Sequence, residues 1–272
     1  MSVNNGSDVY NGGDKQTNFT AFSANVVLPL KVDANGKLNN NGVSLTVSGA
    51  NAWAEGNGTR ATGTNSHAEG GVTTASGSNS HAEGGSSIAS GLRAHAEGAA
   101  TEASGQNSHA EGNATKALQN NAHSEGVNTT ADNNAAHAEG SNTTASGQYS
   151  HAEGGNTIAS GQNSHAEGNY TKAVGNHSHA EGSACEANGT RSHAGGNTSF
   201  ANSADAFVHG AGLITTSDNC FVIGKYNVDE PAYFIIGDGT DENNRKNIFK
   251  VDKSGDVWIM YNGVLTKLST LL

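Results

Sequence analysis

The chain is poor in the residues that build an ordinary globular interior. Of 272 residues only 34% are hydrophobic and 6% aromatic, and charged residues make up just 14%. So little apolar material usually means disorder, but disorder normally brings high charge or abundant proline. Here there are only 2 prolines. The 2 cysteines, Cys185 and Cys220, exclude a disulfide framework. No stretch approaches the roughly 20 apolar residues that cross a bilayer, so membrane insertion is not expected. A net charge of −11 argues against nucleic acid as a partner, because phosphates have to be neutralised by basic side chains. The start, Met1-Ser2-Val3-Asn4-Asn5-Gly6, has neither the basic residues nor the apolar run of a secretory signal. A place on a virion, on a cell surface or outside the cell would require another route of release, such as lysis.

Glycine is abundant instead, with 37 residues, alongside Ala, Ser, Thr and Asn, and it is periodic. Histidines recur every fourteen residues from His67 to His193, nearly always within Ser/Ala-His-Ala-Glu-Gly. The glycine closing that motif keeps one phase from Gly56 to Gly224, marking thirteen rungs. A second frame, Thr59-x-Ala61-x-Gly63, keeps step with it as far as Ser199-x-Ala201. A period of fourteen is too short for helical repeats and lacks the apolar a and d positions of a coiled coil. It suits an all-β solenoid, or roll, with two short strands per turn stacked at about 4.8 Å, a rod of roughly 60 Å. Glycine, and asparagine after it, would supply positive φ at the corners.

Alternation assigns the faces. Thr59 and Ala61 share one side, and Ser66, Ala68 and Gly70 share another; these small residues are expected inside, where a narrow roll has no room for larger ones. The outer face of the first strand is irregular (Arg60, Thr74, Ile88, Glu102, Lys116). The outer face of the second repeats histidine and glutamate with almost no variation. Its columns run Trp53 and Glu55, His67 and Glu69, His81 and Glu83, His95 and Glu97, His109 and Glu111, His123 and Glu125. They continue through His137 and Glu139, His151 and Glu153, His165 and Glu167, His179 and Glu181, then His193, Phe207, and Phe221 with Ile223. A column that accepts Trp and Phe at its ends is expected to be buried against something equally periodic, most simply further copies of the same chain.

The rung Asn219-Cys220-Phe221-Val222-Ile223-Gly224 and the fourteen-residue phase resemble the left-handed parallel β-roll of trimeric autotransporter adhesin heads. The resemblance covers residues 51–224. It implies a homotrimer of parallel rolls in which the pair before the glycine faces the threefold centre. The Ser-His-Ala-Glu-Gly form is similar to repeats of phage tail fibres and prophage surface proteins, and Phe234-Ile235-Ile236-Gly237 with Arg245-Lys246-Asn247-Ile248-Phe249 resembles the segment that follows such rolls. The implied function is a non-enzymatic fibre or adhesin segment that presents a surface to a cell-surface glycan or protein receptor, with Tyr149 and Tyr170 as turn aromatics available for contact.

Residues 1–50 are expected to form an N-terminal β cap or attachment segment, with Val26–Val32 and Val43–Val47 as arms of a hairpin. Residues 225–272 read as a C-terminal β-meander cap, with strands Asn247–Asp252, Asp256–Tyr261 and Val264–Leu268. The recurring imidazoles and carboxylates could chelate Zn²⁺ or Ni²⁺, but a site normally occurs once, and repetition favours packing. No cofactor or catalytic group is expected. A column of glutamates repels itself, and the adjacent histidines supply donors and, when protonated, opposite charge. The alternatives are an ice-binding solenoid, which needs an outward threonine array, and a glycan-degrading β-helical enzyme, which needs acids gathered in one place rather than scattered as Glu102, Asp132 and Glu186 are. Cys185 and Cys220 face inward, too far apart to bridge, and are expected as free thiols.

Overall fold

The computed structural model describes residues 9–11, 14–16 and 45–271. Val9–Asn11 and Asp14–Gln16 pair antiparallel. The expected arm Val26–Val32 lies outside the described residues. Thr46–Val47, expected as part of the other arm, instead pairs in parallel with Arg60–Ala61 and opens the solenoid.

From there the chain winds as an all-β parallel solenoid of about fourteen turns. Nearly every turn contributes a five-residue strand such as His109–Asn113 and a two-residue strand such as Lys116–Ala117. The long strands stack with every repeat position on its equivalent: His95 on His109 and His109 on His123, Glu97 on Glu111 and Glu111 on Glu125. The short strands form a separate sheet of thirteen, from Thr46–Val47 to Ile214–Thr215.

The interior is as narrow as the small residues require. Ala61, Ala68, Ala75 and Thr73 are inaccessible to solvent, and so is Ser87, which fills the threonine slot of the following turn. Several inward serines bond within their own turn, as Ser108 Oγ donates to the Gly105 carbonyl oxygen at 2.7 Å, while Ser87 Oγ donates to the Gly98 carbonyl oxygen of the next turn at 3.0 Å. With so few methylenes to bury, the backbone ladder carries an unusual share of the cohesion. Both cysteines are buried and free, as expected.

The corners differ from the sequence reading. In many turns the left-handed corner two residues before the histidine is an asparagine, such as Asn65, Asn79 or Asn107, at φ near 55°, a conformation asparagine tolerates. Their amides form a ladder of their own: Asn51 donates to Asn65 at 3.1 Å and Asn65 to Asn79 at 3.2 Å. The glycines divide into two kinds. Gly70 and its equivalents take φ near +100° within the long strand. This breaks the pleat, so Gly70 is exposed rather than inward beside Ala68, correcting its assignment to the inner face. Gly63, Gly77 and Gly91 have no positive φ at all; a Cβ on Gly91 would lie 1.9 Å from the Gly105 carbonyl oxygen of the next turn.

After Phe221–Lys225, strand Ala232–Asp238 adds one more parallel rung, Phe234 on Phe221. The direction then reverses, and Asn247–Asp252, Val257–Tyr261 and Val264–Lys267 follow as the expected antiparallel meander. Asn262 and Gly263, both at positive φ, make its last tight turn. The short sheet ends at Ile214, where the buried side chain of Asn227 takes the place of a further strand. Its Oδ1 accepts from the Ile214 N–H and its Nδ2 donates to the Ile214 carbonyl oxygen, both at 2.8 Å.

Candidate functional site: the histidine–glutamate strip

Residues 53 to 223 of the expected strip fall into two adjacent columns on the outer face of the long sheet. In-register pairing carries Trp53 onto His67, Glu55 onto Glu69, His193 onto Phe207, and Phe207 onto Phe221. The ring column is continuous. Successive imidazoles from His67 to His193 have centroids 4.5–5.0 Å apart, the spacing of the strands themselves. Phe207 stacks on His193 at 4.5 Å and Phe221 on Phe207 at 4.6 Å.

Stacking leaves the histidines half-buried. The Nε2 atoms of His67, His81, His95, His109, His137, His151, His165 and His193 are shielded from solvent and have no hydrogen-bond partner. Carboxylates stand just beyond reach: His81 Nε2 is 3.7 Å from both Glu69 and Glu83, and His137 is 3.8 Å from Glu139. His123 to Glu125, at 3.2 Å, and His179 to Glu167, at 3.3 Å, are the hydrogen-bonded histidine–glutamate pairs among the described residues. A donor ladder within one chain is therefore mostly unmade.

The electrostatics favour neutral rings. His109, His137 and His165 are held below the ordinary histidine value, first by burial and then by the imidazoles above and below; the neighbouring glutamates pull the other way without prevailing. For His137 those neighbours are His151 and His123 against Glu139 and Glu125.

The ends of the column are apolar and open. Trp53 is 36% and Phe221 42% exposed. The opposite outer face is mixed, with surface pairs such as Lys172 with Glu186 at 2.8 Å. Tyr149 and Tyr170 are exposed at left-handed corners. The regular threonine column, Thr59 to Thr171, is buried, which takes away the outward threonine array an ice-binding face would use. Among the described residues no helix is long and apolar enough to cross a membrane.

The break in the glutamate column was not singled out from the sequence. Gly195 stands in the glutamate column and His209 follows it in the next turn. The signal was in the repeat: these two positions break a column that is otherwise glutamate from Glu55 to Glu181. Compared with protein-family models and with curated proteins, the chain matches none.

Proposed function

We propose that the protein is a non-enzymatic segment of a trimeric fibre or adhesin, phage tail-fibre-like or borne on a cell surface. The histidine–glutamate strips of three copies meet along the axis, and the irregular outer faces are turned to a cell-surface glycan or protein receptor. The observation that carries this reading is the continuous column of in-register rings in which Trp53 and Phe221 stand open. Exposed aromatics aligned with a half-buried strip mark a surface made for association. The unpaired Nε2 atoms support the same reading, since buried polar atoms are normally hydrogen-bonded. A stiff solenoid with a repeating surface serves as a spacer and display element.

Rung variants test the assembly. Replacing His and Glu together by Val and Ile in His109, Glu111, His123, Glu125, His137 and Glu139 should preserve the trimer. Glu→Ala at Glu111, Glu125 and Glu139 alone should weaken it. Glu→Ala variants with unchanged mass and melting would refute the polar axial ladder. For the display role, labelled full-length protein should bind saturably to whole cells or to a glycan array, and binding to neither would refute the receptor assignment.

A further inference from the structure

Three departures from the repeat coincide at one place on the strip. Glu181 is the last carboxylate of its column, followed by Gly195, His209 and Ile223 in successive turns. The long strand of the Glu181 turn is regular only over His179–Ala180. The His179 and His193 rings stand at 89° to each other, the steepest tilt in a column that also tilts on either side of His123, by 60° and 45°.

Together these changes gather two imidazoles around one carboxylate. His193 Nε2 lies 3.4 Å from Glu181 Oε1, and His209 Nδ1 lies 3.5 Å from the same oxygen. Gly195 makes the room: a Cβ there would stand 2.5 Å from His209 Nδ1 and 2.9 Å from Glu181 Oε1. Any other residue would push the imidazole out. His193 Nε2 is buried without a hydrogen-bond partner, and all three ligand atoms lie within 4.8 Å of one another. Two ligands at about 2.1 Å from a tetrahedral ion are about 3.4 Å apart, so little movement would close the site.

Regular rungs also bring histidine and glutamate within 4.8 Å, but none has an imidazole in the glutamate column, where His209 stands. His137, Glu139 and His151 also approach one another, but their rings are parallel, 5° apart in plane and 4.5 Å between centroids. Ring-nitrogen lone pairs lie in the ring plane; His137 and His151 follow one another in a single column, whereas the His193 and His209 rings, 25° apart in plane, are offset with 6.1 Å between centroids. His193 and His209 come from different columns and offer different nitrogens, Nε2 and Nδ1, to a single oxygen.

We propose that Glu181, His193 and His209 bind one divalent transition-metal ion of the Zn²⁺ or Ni²⁺ class per chain. Two imidazoles and a carboxylate suit such ions, whereas Ca²⁺ and Mg²⁺ prefer oxygen throughout. The His209 side chain is 51% exposed, which leaves a coordination position for water. The ion would tie the polar rungs to the aromatic rungs of Phe207 and Phe221. All three ligands belong to one chain, although Glu181 and His193 lie in the strip proposed to face the axis.

The test is calorimetric titration of chelator-treated, full-length protein with Zn²⁺. One equivalent per chain should bind more tightly than any other. His209→Gln should weaken that equivalent about tenfold or more, and His137→Gln should leave it unchanged. As a check that needs no variant, crystals of the unaltered protein grown with one equivalent of Zn²⁺ should give an anomalous peak between Glu181, His193 and His209. A wild-type protein without such an equivalent, equal affinity in the two variants, or a peak confined to the regular rungs would overturn the assignment.

Discussion

Some glycines in this chain are required by the fold and others are not, and substitution separates them. Gly91 has ordinary backbone geometry but no space, because a Cβ would strike the Gly105 carbonyl oxygen at 1.9 Å. Gly71 has nothing within 4 Å of the same built atom and no positive φ. Gly91→Ala should therefore cost at least about 2 kcal/mol, while Gly71→Ala should stay within about 0.5 kcal/mol of wild type; urea unfolding compares them. The repeat points the same way: the Gly91 column is mostly glycine, whereas the Gly71 column also holds Asn, Ala, Val and Ser. The period was legible in the sequence, but the distance to the next turn's carbonyl was not, since it arises only when the turns are stacked.

The histidines set a pH dependence at the same scale. His109, His137 and His165 are held below the ordinary value in the folded chain, so the unfolded chain binds more protons once the pH falls to about 6.5. Their contribution to stability is complete above that value and declines as the pH drops through it. The melting temperature should fall between about pH 7.5 and 5.5. That window lies above the one in which Asp205 and Asp252 titrate, since hydrogen bonds from Arg191 and Trp258 hold those carboxyls low. A melting temperature that rises on acidification across the window would contradict neutral, stacked imidazoles. Full protonation of the 12 histidines would shift the formal charge from −11 to +1, which adds repulsion within the column.

Among the elements, the end of the short sheet is the most exposed to a single change. Asn227 satisfies both backbone groups of Ile214 and also donates to the Val228 carbonyl oxygen at 3.1 Å. Asn227→Ala should cost about 2 kcal/mol or more, because it leaves groups without partners at a buried position. Asn227→Asp should not rescue it: the carboxylate can accept from the Ile214 N–H but would face the Ile214 carbonyl oxygen. Chemical denaturation of the two variants checks both points. Strand faces were readable from alternation at Ala61, Ala68, His67 and Glu69, because the pleat has a period of two. The reading failed at Gly70, whose positive φ ends the pleat. It also failed at Thr46–Val47, where a two-residue strand carries too little pattern to distinguish a roll from a hairpin. The site was legible as a column and illegible as chemistry, since the convergence at His209 depends on side-chain packing around Gly195.

For the whole molecule, a rod of about fourteen turns with an interior of Ala, Ser and Thr gains little from burial in any one turn. It leaves one straight strip of rings half-covered, with Trp53 and Phe221 open. Association of three such strips would bury that surface and extend a core that a single roll is too narrow to hold. The direct test is the mass of the purified full-length protein by sedimentation equilibrium at neutral pH. The account predicts a species at three times the chain mass of 27.5 kDa. A folded particle that stays at 27.5 kDa at every concentration, with the ring column facing water, would contradict it.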